Sequence, residues 1–125
     1  MKKITFEQLV VFHKKIILKT GGSVGVRDEG LLKSALARAE ATFDGQELYT
    51  PDERKIAVIS HSLIANHGFV DGNKRIGISA MVLLCKLNDI GLKYTQQELI
   101  DLGLAVANNI KNEEGIFNWI MTHKI

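Results

Sequence analysis

The stretch from Ile76 to Leu87 constrains this chain more than any other, because wound as a helix it is apolar on nearly every side. Such a helix needs other elements around it. The expected fold class is therefore all-α: a compact bundle of about six helices around a central apolar helix. That helix starts near Asn73 and runs to about Asn88, with Gly91 as its terminator.

The enclosing helices announce themselves by their starts. Thr5-Phe6-Glu7-Gln8 has the form of a capping box, after which Leu9, Phe12, His13 and Ile16 recur at helical spacing until Gly21-Gly22. Asp28 can cap a second helix, whose apolar face is Leu31, Leu32, Ala35, Leu36 and Ala39. The segment from Thr42 to Tyr49 shows no clear period and reads as a loop. Thr50-Pro51-Asp52-Glu53 is the strongest start signal, with Thr50 as cap, Pro51 where its missing N–H does no harm, and Glu53 closing the box. That helix is expected to reach about Asn66, with Ile56, Ile59, Leu63 and Ile64 inward. Thr95-Gln96-Gln97-Glu98 opens a further helix, and the last runs roughly from Asn112 to His123. With no repeat, no low-complexity segment and one proline, residues 1–125 read as a single domain.

Composition narrows the partners. Hydrophobic residues make up 46% of the chain, enough for a core without cross-links, and Cys85 alone cannot form an intrachain disulfide. A reducing, cytoplasmic location is the expectation. The net charge of +2 is too small to argue for nucleic acid or an anionic membrane as partner. No segment approaches the ~20 apolar residues of a membrane-spanning helix.

The chemistry concentrates between two helices, in His67-Gly68-Phe69-Val70-Asp71-Gly72-Asn73-Lys74-Arg75. A helix beginning at Asn73 presents backbone N–H groups without intrahelical partners and the positive end of its dipole, a site for an anion. Gly72 allows close approach of the backbone. Lys74 and Arg75 sit in the first turn, where positive charge disfavours the helix unless an anion is bound; a polyphosphate is the natural candidate. Asp71, beside them, can hold Mg²⁺ together with substrate phosphates. His67 can take the proton of an attacking hydroxyl, and Phe69 is expected to insert into the core and pin the loop.

The run HGFVDGNKRIG resembles the signature of the Fic/Doc superfamily, in its death-on-curing branch. GVRDEGLLKSALARAEATFDG and LYTPDERKIA extend the likeness to nearly the whole chain. The resemblance implies a catalytic base at His67, a core anchor at Phe69 and an acidic metal position at Asp71. It implies an anion-binding turn at Gly72 and Asn73 and a phosphate contact at Arg75. Two positions depart from the Fic pattern HxFx(D/E)GNGRxxR. Lys74 replaces the second glycine, and Ile78 replaces the final arginine. Gly68 stands where many relatives have proline, which is expected to loosen the loop entry.

Fic enzymes transfer AMP, whereas Doc-type proteins, which share the lysine, transfer the γ-phosphate of ATP. The resemblance thus implies a Doc-type toxin phosphorylating a protein hydroxyl, with ATP as co-substrate, Mg²⁺ as cofactor and elongation factor Tu as target. It implies a small antitoxin with a disordered inhibitory tail as partner. AMP transfer and a catalytically inactive interaction domain are the alternatives.

Other residues read as structural. His61 and His67 lack the spacing of a helical zinc pair. His13 and His123 are expected in solvated or cap-side roles, Cys85 as an inert buried thiol, and Trp119 with Phe117 as core or groove wall. Arg27, Asp28 and Arg38 either shape the mouth of the site or serve as caps and surface charges. DNA binding by a helix-turn-helix finds no basic, base-reading helix face.

Overall fold

Each capping signal is followed by a helix in the computed structural model, which describes residues 1–125. The helices are α1 (Phe6–Thr20), α2 (Glu29–Ala37), α3 (Asp52–Ala65), α4 (Asn73–Leu87), α5 (Gln96–Ala107) and α6 (Glu113–His123), with a short 3₁₀ turn at Arg38–Glu40. The capping boxes at Thr5 and Thr95 both form, each hydroxyl accepting from the backbone three residues on and each Gln8 or Glu98 side chain returning the bond. Asp28 and Asn112 cap α2 and α6 in the same way. The all-α class holds, and no helix is long and apolar enough to cross a membrane.

Three local expectations are corrected. Pro51, not Thr50, occupies the cap position of α3, and no side chain caps that helix. The Glu53 carboxylate turns away from the box to pair with Lys124, and this bond holds its carboxyl below the usual range. Helix α4 ends at Leu87 with Asn88 as cap, three residues before Gly91. There the Asn88 side chain donates to the Leu84 and Lys2 carbonyls, tying the end of α4 to the N-terminus. The segment from Thr42 to Tyr49 contains a hairpin, β1 (Thr42–Phe43) against β2 (Gln46–Glu47). Asp44 and Gly45 turn it with φ of 52° and 78°, the two left-handed positions a two-residue turn requires.

Helix α4 buries Ile76, Ile78, Ala80, Met81, Leu84 and Cys85 but leaves Val82, Leu83 and Leu87 half-buried, so the more enclosed, central helix is α3 rather than the expected α4. Ile56 to Ser60 and Ser62 to Ile64 are all buried, because α3 packs on α2, α4, α5 and α6 at once. The α3–α4 contact is close at Gly77. A Cβ at Gly77 would stand 2.4 Å from Ile64 Cγ1 and 3.0 Å from the Ser60 carbonyl. The Ser60 hydroxyl donates to the Gly77 carbonyl across the same interface. This approach sets the relative height of α3's end and α4's start, between which the His67–Gly72 loop hangs.

An alanine at an ordinary helix interior is favoured over glycine by about 1 kcal/mol. At Gly77 the sign reverses. Overpacking of this kind costs about 1–3 kcal/mol, a net loss of up to about 2 kcal/mol against the propensity gain, so Gly77→Ala is expected to lower the thermal midpoint by up to about 10 °C in a calorimetric scan.

Candidate active site

The loop is anchored from within. Phe69 is 1% exposed and its ring packs in the core. Its backbone is clasped by Asn73, whose Oδ1 accepts from Phe69 N and whose Nδ2 donates to Phe69 O, both at 3.0 Å. The first residue of α4 thus holds the loop that precedes it. Asn73 therefore offers an anion its backbone N–H rather than its side chain.

A second strap comes from the segment before α2. Arg27 and Asp28 donate their backbone N–H groups to Gly68 O, Val70 N donates to Gly25 O, and the Arg27 guanidinium donates to the carbonyls of His67 (2.6 Å) and Asn66 (3.1 Å). A cation at the C-terminal end of α3 also suits that helix's dipole. His67 adopts φ 50°, and its imidazole is exposed while its carbonyl is held. The looseness expected of Gly68 is not found. It is buried, and a Cβ there would meet Leu32 Cδ2 at 2.4 Å, so the small residue is needed for close packing against α2.

Asp71 is fixed at the surface end of the loop. Its Oδ1 accepts from Gly72 N and its Oδ2 from Ser23 N. These amide bonds, with a smaller contribution from Arg75, lower its pKa from the ordinary carboxylate value, so it is ionised at neutral pH. Gly22 makes the approach possible: at φ 118°, a Cβ there would stand 2.5 Å from Asp71 Oδ2. The turn after α1, legible in the sequence only as a helix stop, is thus part of the site.

Helix α4 starts from Gly72 in the left-handed region, φ 73°, with no side chain capping it. The amides of Asn73, Lys74 and Arg75 are left for another acceptor. The two cations differ. Arg75 donates to the Thr20 hydroxyl and the Gly21 carbonyl, both at 2.6 Å, and lies 3.7 Å from Asp71. Its charge is offset by the C-terminal end of α1 and by Asp71. Lys74 is exposed and makes no ion pair; its stem crosses α5 at Gly103, where a Cβ would lie 3.4 Å from Lys74 Cγ. Lys74 and Arg75, with Thr20, Ser79 and Gln96, line a cleft of about 350 Å³ between α1, α4 and α5. A larger recess of about 420 Å³ at Val82, Cys85 and Tyr94 is lined by one cation and one anion, Lys86 and Asp89, rather than by two cations. His67, at the start of the loop, does not line the cleft.

The loop and the segments that hold it, from the Gly21-Gly22 turn to Arg75, lie within the segment that matches the Fic/DOC family, residues 3–85. The chain belongs to the Fic/DOC family. It is 42% identical over 72 residues to a protein named Toxin Doc from Mycolicibacterium smegmatis, a match covering 58% of this chain and 55% of that one. The chain thus spans about half the length of that relative. It is 28% identical over 110 residues to a protein named Protein kinase doc from Escherichia phage P1, covering 86% of this chain and 83% of that one.

Cys85 is buried, its thiol pushed up to about 12 by desolvation, and is inert. His123 stacks on Trp119 at 3.9 Å and binds Glu98 at 2.7 Å, joining α6 to α5. Arg38 ties Ser62, Tyr49 and Glu113 together away from the loop, and Asp28 is a helix cap. His13 is neither solvated nor cap-side: it is 1% exposed and stacked on Phe69. Arg27 and His13 bond to the loop, and Gly22 leaves room for its carboxylate, across 40 or more residues, which periodicity does not register.

Because the folded-state pKa of Asp71 is lowered, its contribution to stability is present above the unfolded value near 4 and is lost as pH falls. Chemical denaturation of the native chain and Asp71→Asn is expected to show a gap favouring the native chain at pH 7 that closes towards pH 3.

Proposed function

We propose that this chain is a Doc-type toxin that transfers the γ-phosphate of ATP to a hydroxyl of a target protein. The observation that carries the reading is the uncapped start of α4, which leaves three amides free between the ionised Asp71 just before the helix and the unpaired Lys74 in its first turn. The name of the phage relative, a protein kinase, supports phosphoryl rather than AMP transfer, as does lysine in place of the second glycine.

In this reading the amides of Asn73, Lys74 and Arg75, with the two cations, hold the polyphosphate and neutralise charge that builds on it. Arg75 is pre-set by Thr20 and Gly21, so it need not be ordered on binding. The target hydroxyl attacks the γ-phosphorus, its proton passes to the imidazole of His67, and the bond to the β–γ bridging oxygen breaks to release ADP. An ionised Asp71 is a fitting partner for Mg²⁺ shared with phosphate oxygens, and no cluster of three acidic, histidine or cysteine side chains offers a self-contained cage. The ion, when bound, supplies further neutralisation of phosphate charge.

Elongation factor Tu is the target we infer, and a small antitoxin with a disordered tail the partner. Incubation of the protein with elongation factor Tu and ATP is expected to add about 80 Da to the factor; a gain of about 329 Da would mean AMP transfer, and no adduct would favour an inactive interaction domain. His67→Ala should abolish transfer and relieve growth arrest. Because the imidazole is exposed, its removal should change unfolding free energy by less than about 0.5 kcal/mol.

A further inference from the structure

Helix α1 buries a stripe of three residues, Leu9, His13 and Ile17, one turn apart. Two are hydrocarbons. The imidazole between them is as buried as they are, at 1% exposure, in a place where an aliphatic side chain would carry no polar atoms to satisfy. What it does there is specific. Its ring lies parallel to Phe69, with centroids 3.7 Å apart and planes 6° apart. Its Nε2 lies 2.7 Å from the backbone carbonyl of Asp71. A carbonyl only accepts, so the proton of this imidazole sits on Nε2.

The bonded carbonyl belongs to the peptide unit joining Asp71 to Gly72. The N–H of that same unit donates to Asp71 Oδ1 at 2.8 Å. Both polar ends of one peptide plane are therefore held, the carbonyl by α1 and the amide by the Asp71 side chain. That plane leads into Gly72, the left-handed residue from which α4 departs. Turning it would release the Asp71 carboxylate and redirect the first free amides of the helix. An apolar ring at position 13 would fill the space and leave the carbonyl unheld.

We propose that His13 is a positioning residue: it fixes the Asp71–Gly72 peptide, and through it the Asp71 carboxylate and the start of α4, for the reaction at this loop. The inference rests on the proposed phosphotransfer, but its geometry can be tested without it. Two variants separate the two things His13 offers. His13→Phe keeps a ring against Phe69 and removes the donor; His13→Gln keeps a donor at nearly the same reach and removes the ring.

Hydrogen exchange of the Gly72 amide in the free protein reads the peptide directly. It is expected to quicken by about tenfold or more in His13→Phe and to stay within about threefold of native in His13→Gln, the pattern of a local opening rather than of global loss of stability. Phosphate transfer to elongation factor Tu should follow the same order. In His13→Phe, kcat should fall by about 10–100-fold with KM for ATP within about threefold, and His13→Gln should recover most of it. If packing were the whole role, the order would invert, with His13→Gln the worse variant in both measurements. That inversion, or unchanged Gly72 exchange in both variants, would overturn the proposal. So would a quickened exchange with an undiminished kcat. Should the native protein transfer neither phosphate nor AMP, the reaction falls, and the exchange order alone still decides whether His13 holds this peptide.

Discussion

The site depends on a clasp between Asn73 and Phe69. Two hydrogen bonds join the first residue of α4 to the backbone four residues before it, and the Phe69 ring is sunk in the core. Burying such a ring is worth about 2–3 kcal/mol and each bond about 0.5–1.5 kcal/mol, so the loop's midpoint is tied as firmly as a helix turn. Everything chemical lies to either side of that tie. His67 stands before it, held by its carbonyl to Arg27; Asp71 and the open amides stand after it. Without the clasp, six residues between two helices would have no reason to present a histidine, a carboxylate and a helix start in one region.

Charge is arranged with similar economy. A helix start is a poor place for two cations, and the structure resolves the conflict for only one of them. Arg75 reaches back to the end of α1, where the carbonyl of Gly21 and the hydroxyl of Thr20 accept from it, and leans towards Asp71. Asp71 in turn takes the amides of Ser23 and Gly72. This leaves Lys74 as the unmatched charge, its stem lying over Gly103 and its head at the cleft. The lysine that departs from the Fic motif is therefore also the cation of this helix start that no carboxylate offsets.

Much of this was legible in the residues themselves. Capping boxes at Thr5 and Thr95 foretold their helices because both partners of a box lie three residues apart, within reach of a local reading. The same logic misled at Thr50, since Glu53 found a better partner in Lys124, 71 residues away. The Asp44-Gly45 turn carried a hairpin signal that the short strands on either side obscured. The motif placed His67 and Asp71 on the loop before α4 and Arg75 in that helix's first turn, where the structure has them. It could not tell that Gly68 is packed rather than loose, that Gly22 leaves room for a carboxylate, or that His13 is buried, because each of those facts belongs to a contact between segments. Chain-distant packing is the part that local pattern does not encode.

The central claim is that the start of α4 receives a triphosphate. Backbone amide chemical shifts during titration with Mg²⁺ and ATP test it most directly. The account predicts that the signals of Asn73, Lys74 and Arg75 move together and furthest, and that inorganic tripolyphosphate moves the same three. Saturation by ATP with these amides unmoved, or with the largest changes at the recess around Cys85 and Tyr94, would contradict it.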